Sequence, residues 1–431
     1  MSIRLRIASW LLSGTKASAI APLISIGKLG AAQWTPRKYD KLAKESYEKN
    51  VIAFKAINEI ITAMEQMPWE VMQQDANGDL IDAPMSPLAK LMRQPNPMQS
   101  GSSLWGTWCG FYLISGNGYL EAVSASPTRP PLELYTLRPD RMTVIAGNDG
   151  PAGYQYAVNG STKEWKGNEA GLIRHIKTFH PTNDWYGMSP VEAAAFDIDI
   201  HNATLEWNKA LLDNGAAPSG ALIYEPKRET SPDYLPEEQF QRLKQELDEK
   251  GSGSKNAGNP LLLEGGLRWE SMAFSPKDMD YITSKNTTAR DICMAFGVPP
   301  QLLGIPGDNT YSNMREARMA LWEQTVLPIA YKLRDELNAW LAPMFGEGFV
   351  INVDEDDIMA LAPRRAEQWD KVEKASFLTI NEKREALGYE HVEGGDQVLQ
   401  PASLIPAGTA LMDTGPSGEG ATSTDRGQEE E

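Results

Sequence analysis

Two helices joined by a turn that neither can cross set the frame for this 431-residue chain. Ser275-Pro276-Lys277-Asp278 is a helix start: a capping hydroxyl, a proline at the first helical position and an acidic residue near the positive end. Met279, Ile282, Ala289, Cys293 and Phe296 follow at three- and four-residue steps, which predicts one buried face. Gly297 stops this helix. Pro299-Pro300 forbid its return, because proline has no amide hydrogen and its ring clashes with the preceding turn. After Leu302-Leu303, the composition of Gly304-Ile305-Pro306-Gly307-Asp308-Asn309-Thr310 predicts a loop. Asn313 with Glu316 can cap the next helix, expected over 314–341 with a kink just before Pro328.

The segments on either side read as an α+β chain. Residues 1–36 read as a flexible arm. A helix is predicted from Lys41 to Met67, with Ala53, Ala56, Ile57, Ile60, Ile61 and Met64 on one stripe. Pro68 ends it, Trp69–Met72 reads as a strand, and Asn77-Gly78 signals a hairpin. Short helices over Leu88–Arg93 and Ser102–Ser115 precede strands at Tyr119–Val123, Leu132–Ile145, Gly153–Val158 and Ile173–Phe179. Together 37–185 form a mixed α+β domain. Ser189-Pro190-Val191-Glu192 is a capping box that opens a helix running to Asn214, stopped by Gly215. This helix mixes Asp197, Asp199, His201, Asn202 and Glu206 with Ile198, Leu205 and Leu211. A helix polar on most sides needs neighbours or a solvent channel to stay in place.

A small insert, 216–274, lies between the two long helices. It contains a strand at Ala221–Tyr224, a helix at Leu235–Lys250, a Gly/Ser-rich loop at 251–258, and strands at 261–263 and 267–270. A module at the tip of a helix pair is a natural docking surface. Beyond 341 come a strand at Phe349–Val353, a helix at Pro363–Lys374, and a capping box, Thr379-Ile380-Asn381-Glu382, opening a helix that ends at Gly388. From about Pro401 the composition is that of a disordered tail.

The charge balance narrows the function. A net charge of −17 argues against a tight electrostatic DNA binder, since phosphate neutralisation needs clustered Lys and Arg. An acidic wall that DNA slides past is compatible with it, because like charge keeps the backbone from sticking. Cys109 and Cys293 read as reduced core thiols. No apolar run reaches the roughly 18 residues of a membrane span. The short, interrupted apolar run near Ile7–Leu12 is discounted as a signal peptide.

Catalytic signatures are scarce: GxxxxGK[ST], HExxH, Cys-x-x-Cys and GxSxG are all missing from the sequence. The four histidines, His175, His180, His201 and His391, are scattered and read as structural or solvated. Asp354-Glu355-Asp356-Asp357 is the best metal candidate; a metal-dependent nuclease using it is the enzyme alternative, and a non-ring adaptor protein is the other. The plainer reading is an acidic turn at a helix start. Ser284–Thr288 interrupts the apolar period of the helix before Gly297. That suits a solvated side, a wet passage or a seam between subunits.

Phe296-Gly297-Val298-Pro299-Pro300-Gln301-Leu302-Leu303-Gly304, then Thr310-Tyr311-Ser312-Asn313 and Leu327-Pro328, resembles the portal proteins of tailed phages, in particular the HK97-like group that includes gene transfer agent portals. Residues 214–224, 258–269 and 378–396 add further anchors in the same order. The resemblance implies an α+β portal-type fold: a flexible arm at 1–36, a wing at 37–188, stem helices at 189–215 and 275–303, a clip at 216–274, a tunnel loop at 304–313, a long kinked helix at 314–348, a crown at 349–400 and a tail at 401–431. It implies a ring, expected to hold twelve copies, at one vertex of a virion assembled in the host cytoplasm. Double-stranded DNA would pass through its axis without specific contacts. The major capsid protein, the terminase large subunit and head–tail connector proteins are the implied partners. No catalysis, cofactor or membrane contact is implied. The implied tunnel-loop residues are Gly304, Ile305, Pro306, Gly307, Asp308, Asn309, Thr310, Tyr311, Ser312 and Asn313. Lys227, Arg228, Arg242 and Lys244 are the docking candidates of the clip, though ordinary solvation of an exposed helix also accounts for them.

Overall fold

The computed structural model describes residues 38–148, 150–213, 220–224, 267–271, 281–305 and 311–398, together with Glu238, Gln241, Arg242 and Gln245. The arm at 1–36, most of the clip and the tail at 401–431 lie outside the described residues. The chain divides into two compact units, Met1–Leu361 and Ala362–Glu431.

The first unit begins with helix α1 (Tyr39–Ala43), which widens into a π turn at Lys44–Glu48 and breaks before α2 (Val51–Glu65). The single helix predicted over 41–67 is therefore two. Asn50 causes the break: its backbone is extended, and its Oδ1 accepts hydrogen bonds from the amides of Ile52 and Ala53, both at 3.0 Å. A side chain that caps the next helix in this way competes with continuation of the previous one. The predicted stripe is the buried face of α2, with Ile61 half-buried beside it.

That face packs on α4 (Gly101–Ser115), reached through β1 (Trp69–Gln74), β2 (Leu80–Asp82) and α3 (Pro87–Arg93). Two glycines on α4 permit the approach: a Cβ at Gly106 would sit 2.5 Å from Glu65 Cγ, and one at Gly110 3.1 Å from Ile61 Cδ1. Trp105 and Trp108, both on α4, are fully buried: Trp105 lies against Trp69 with ring centroids 5.8 Å apart, and Trp108 lies over Gly118.

Three-stranded sheets follow. β3 (Asn117–Val123) lies between β4 (Glu133–Leu137) and β8 (Ile173–Lys177). β5 (Met142–Ala146), β6 (Pro151–Val158) and β7 (Ser161–Lys166) form an antiparallel meander. The stretch read as strand over 132–145 thus divides at a 3-10 turn, Pro139–Arg141, and its halves enter different sheets. β7 escapes the sequence reading because only Trp165 in it is buried, so no alternation marks it.

After β8 come α5 (Pro190–Ala193), α6 (Ala195–Asp213), β9 (Gly220–Tyr224), β10 (Leu267–Ser271) and α7 (Tyr281–Phe296). The helix expected unbroken from the Ser189 cap is interrupted at Ala194, whose backbone leaves the helical region at ψ 5°. Ser189 Oγ accepts from the Glu192 amide at 2.9 Å, as its spacing predicts.

α8 (Tyr311–Leu321) starts two residues before the predicted cap, so Asn313 lies inside the helix rather than ahead of it. In place of the expected kink, a π turn at Trp322–Val326 leads into α9 (Leu327–Trp340). The wider turn gives the Pro328 ring room against the preceding carbonyls and absorbs the missing N–H. β11 (Phe349–Val353) then pairs with β1, Trp69 opposite Val353. β11 thus completes a sheet of the first unit, which runs to Leu361.

The second unit contains α10 (Ala362–Lys374) and α11 (Ile380–Ala386). The Thr379/Glu382 capping box is complete. Asn381, almost fully buried, anchors the following loop: its Oδ1 accepts from Val392 N at 2.8 Å, and its Nδ2 donates to Asp396 Oδ1 at 2.7 Å.

Candidate functional site

α6 and α7 pack together, and their charged pairs give the direction. Asp291 on α7 acts electrostatically on Asp197 of α6, and Lys285 on His201, so positions ascend on one helix as they descend on the other, as in an antiparallel pair. Burial first, and the Asp291 charge second, raise the Asp197 pKa. Beyond α6 and before α7, β9 and β10 pair antiparallel from Gly220↔Ser271 to Tyr224↔Leu267. The insert between the long helices therefore leaves and returns as a two-stranded ribbon, at the strands predicted over 221–224 and 267–270; the strand predicted at 261–263 lies outside the described residues.

A buried polar node ties α6 to α2. Asn50 Nδ2 donates to His201 Nδ1 at 3.1 Å and to Asn202 Oδ1 at 3.0 Å, while Asn202 Nδ2 donates to the Glu45 carbonyl at 2.9 Å. Because Asn50 Oδ1 is engaged by two backbone amides, its nitrogen must face His201, and His201 Nδ1 must accept. The imidazole is therefore neutral with its proton on Nε2. Burial, then the Lys285 charge, lowers its pKa. His201 is structural, as its sequence context predicts, and the sequence signal for its partners is Asn50 standing directly before an apolar-periodic run.

His175 is the second neutral histidine. It stacks on Tyr119 with ring centroids 4.2 Å apart, and its Nε2 donates to Asn117 Oδ1 at 2.9 Å. Burial pushes its pKa down to about 3. Burial likewise pushes the Cys109 thiol up to about 12 and Cys293 to about 11; both are free and buried.

The turn after α7 is built from Gly297 and Gly304, both at positive φ (66° and 74°), around a 3-10 turn at Pro300–Leu303. Thr325, in the π turn, donates from Oγ1 to the Gly297 carbonyl at 2.6 Å and ties the end of α7 to the α8–α9 rod. Of the ten residues expected in the tunnel loop, Gly304 is exposed and Ile305 is buried against Ala289 and Cys293, which pins the loop's first end. Tyr311, Ser312 and Asn313 form the first turn of α8, with Asn313 half-buried. Pro306, Gly307, Asp308, Asn309 and Thr310 lie outside the described residues, as do Lys227, Arg228 and Lys244; Arg242 is exposed.

The acidic run has local structural roles. Asp354 Oδ1 accepts from the Asp356 amide at 2.8 Å and caps a 3-10 turn, and Glu355 accepts from the Tyr331 hydroxyl. Among the described residues no group of three or more His, Cys, Asp or Glu side chains is placed to hold a metal ion. No helix there is long and apolar enough to cross a membrane.

The family profile described as phage portal protein matches residues 52–388. The chain belongs to the phage portal protein family. That match takes in both long helices, the ribbon, the turn and the rod, and it ends at Gly388, two residues past α11. This portal protein is similar to a chain from the neck of a native gene transfer agent particle, determined with C12 symmetry: 39% identity, 91% of this chain and 100% of that one, TM-score 0.64. It is 42% identical to an uncharacterized protein of Rickettsia bellii over 82% of this chain and 90% of the relative. It is 22% identical to the portal protein of Enterobacteria phage HK97 over 93% and 92%. The α+β portal-type fold inferred from the motif around Phe296–Gly304 is thus the fold observed.

Proposed function

We propose that this portal protein forms a closed ring, of twelve copies, at one vertex of a phage or gene transfer agent capsid, through which double-stranded DNA enters and leaves. The observation that carries this reading is 39% identity, along the full length of the matched chain, to a component of a gene transfer agent neck determined with C12 symmetry. The chemistry of this chain supports it. A net charge of −17 gives DNA a wall without a phosphate-binding field, so the duplex slides rather than sticks. The role is structural: an aperture and a docking face, with ATP hydrolysis supplied by a terminase.

In this reading α6 and α7 are the stem, and the ribbon β9–β10 is the base of the clip that docks the terminase and later a head–tail connector. The 304–313 segment is the tunnel loop, anchored by Ile305 at one end and by the first turn of α8 at the other. Wing contacts with the major capsid protein hold the ring in the shell, and assembly takes place in the host cytoplasm. The test is deletion of 306–310 in the full chain. Rings of unchanged mass with altered retention of packaged DNA support the assignment, whereas unchanged packaging and retention overturn the role of the loop.

A further inference from the structure

Beside α3 lies an open groove of about 590 Å³. Leu91 of α3 lines it on one side, and Pro130, Pro131 and Leu132, which lead into β4, line it on another; Phe345, from the 3-10 turn at Ala342–Phe345, completes the apolar surface. A single exposed leucine is ordinary, but Leu132, 85% exposed, continues an apolar wall. The loop that carries it is held by the backbone. Leu132 N donates to the Val123 carbonyl at 3.0 Å, and Leu134 N to the Pro95 carbonyl at 2.8 Å. Asn96, 3% exposed, donates from Nδ2 to the Leu134 carbonyl at 2.9 Å. Pro130 and Pro131 fix two further φ angles. The groove is therefore formed before anything enters it, which removes much of the ordering cost of binding.

Its rim is basic in an acidic chain. Lys90 and Arg93 line it, three residues apart on α3, and Arg129 stands directly before Pro130; all three are exposed. Like charges at this helical spacing repel. Among the described residues neither Lys90 nor Arg129 has a carboxylate partner, and Arg93 donates to the Pro84 carbonyl. No Asp or Glu among the described residues lines the groove, although the chain holds 58 of them against 41 Lys and Arg. The negative end of α3 accounts for a cation in its last turn. It accounts neither for Arg129 on the loop nor for the apolar lining between the cations.

We propose that this groove takes an acidic segment, rich in aliphatic side chains, of another polypeptide. The aliphatic side chains would pack on Leu91, Pro131 and Phe345, and the carboxylates would pair with Lys90, Arg93 and Arg129. Charge complementarity selects this occupant: a basic segment would be repelled by the three cations, and a neutral apolar one would leave them unused. The rim charges would set the choice of partner and its on-rate, while the apolar lining supplies the burial that holds it. Nothing in the inference depends on how copies of this chain assemble.

The test uses the purified full-length chain and three fluorescein-labelled peptides: alternating glutamate and leucine, the same with lysine for glutamate, and the same with serine for leucine. Fluorescence anisotropy should show the glutamate–leucine peptide binding, and each of the other two binding weaker by at least about tenfold. The variants Lys90→Glu/Arg129→Glu and Leu132→Ser should each weaken the first peptide by about tenfold or more, with unchanged circular dichroism because the positions are exposed. Absence of binding by the glutamate–leucine peptide, equal binding of the lysine form, or equal affinity in both variants overturns the proposal. A labelled DNA duplex that binds the parent chain and is lost in the charge variant assigns the groove to phosphates and also overturns it. So does a change of oligomeric state in Leu132→Ser by native mass spectrometry, which gives the groove to a second copy. The three peptides on the parent chain decide the charge and apolar requirements even where a variant fails to fold, and a parent chain that forms no ring leaves this test unchanged.

Discussion

Replacing Gly297 by alanine tests the join between α7 and the α8–α9 rod. Two costs combine there. The residue sits at φ 66°, where a Cβ crowds the backbone and costs roughly 1–2 kcal/mol. The new Cβ would also lie 2.5 Å from Thr325 Oγ1, so the threonine must move and its 2.6 Å hydrogen bond to the Gly297 carbonyl is lost, about another 1 kcal/mol. Gly297→Ala should therefore lower the unfolding free energy by about 2–3 kcal/mol. Gly304→Ala is the internal control: its φ is 74° but no atom lies within 4 Å of the added Cβ, so only the backbone cost of about 1–2 kcal/mol applies. Urea titration followed by circular dichroism reads both. In a Thr325→Ala background the contact is gone, and Gly297→Ala should cost no more than Gly304→Ala does. Equal losses at the two glycines in the parent chain, or strict additivity with Thr325→Ala, would refute the reasoning.

Asn50→Ala removes two capping bonds and the donor to His201 and Asn202. A loss of about 2–4 kcal/mol is expected, measured by the same titration. His175 gives a pH dependence of known sign. An unfolded histidine binds a proton below about pH 6.5, whereas folded His175 stays neutral down to about pH 3, so the unfolded state gains protons first as pH falls. Its contribution is full above pH 6.5 and falls by about 1.4 kcal/mol per unit below that. His175→Gln should flatten the stability profile between pH 6.5 and 4, and an unchanged slope would contradict the buried neutral assignment. Trp105→Ala should cost about 3–5 kcal/mol, because the side chain is almost fully buried in the main core and packs on Trp69.

Local chemistry was legible and distant pairing was not. The caps at Ser189 and Thr379, the stop at Gly297 and the stripe on α2 appear where the residue types place them, since each depends on atoms within one or two turns. The break at Asn50 was readable in principle, but a continuous apolar period masked it. Before Pro328 the sequence predicts a kink and the chain forms a π turn, because sequence marks where a proline strains a helix without saying how the strain is relieved. β7 is nearly all exposed and carries no alternation, and the β1–β11 pairing joins segments some 280 residues apart that no local pattern connects. At the site, the strands of the ribbon and the turn at Gly297 were readable from residue types alone. The polar node around His201 and the groove beside α3 depend on which residues the fold brings together, so they emerged only with the packing known.

The central claim is that copies of this chain stand side by side around an opening. Electron-microscopic class averages of the pure full-length chain test it most directly. Closed rings with an axial hole that admits a duplex are the predicted result. Single compact particles at every concentration and ionic strength would contradict it.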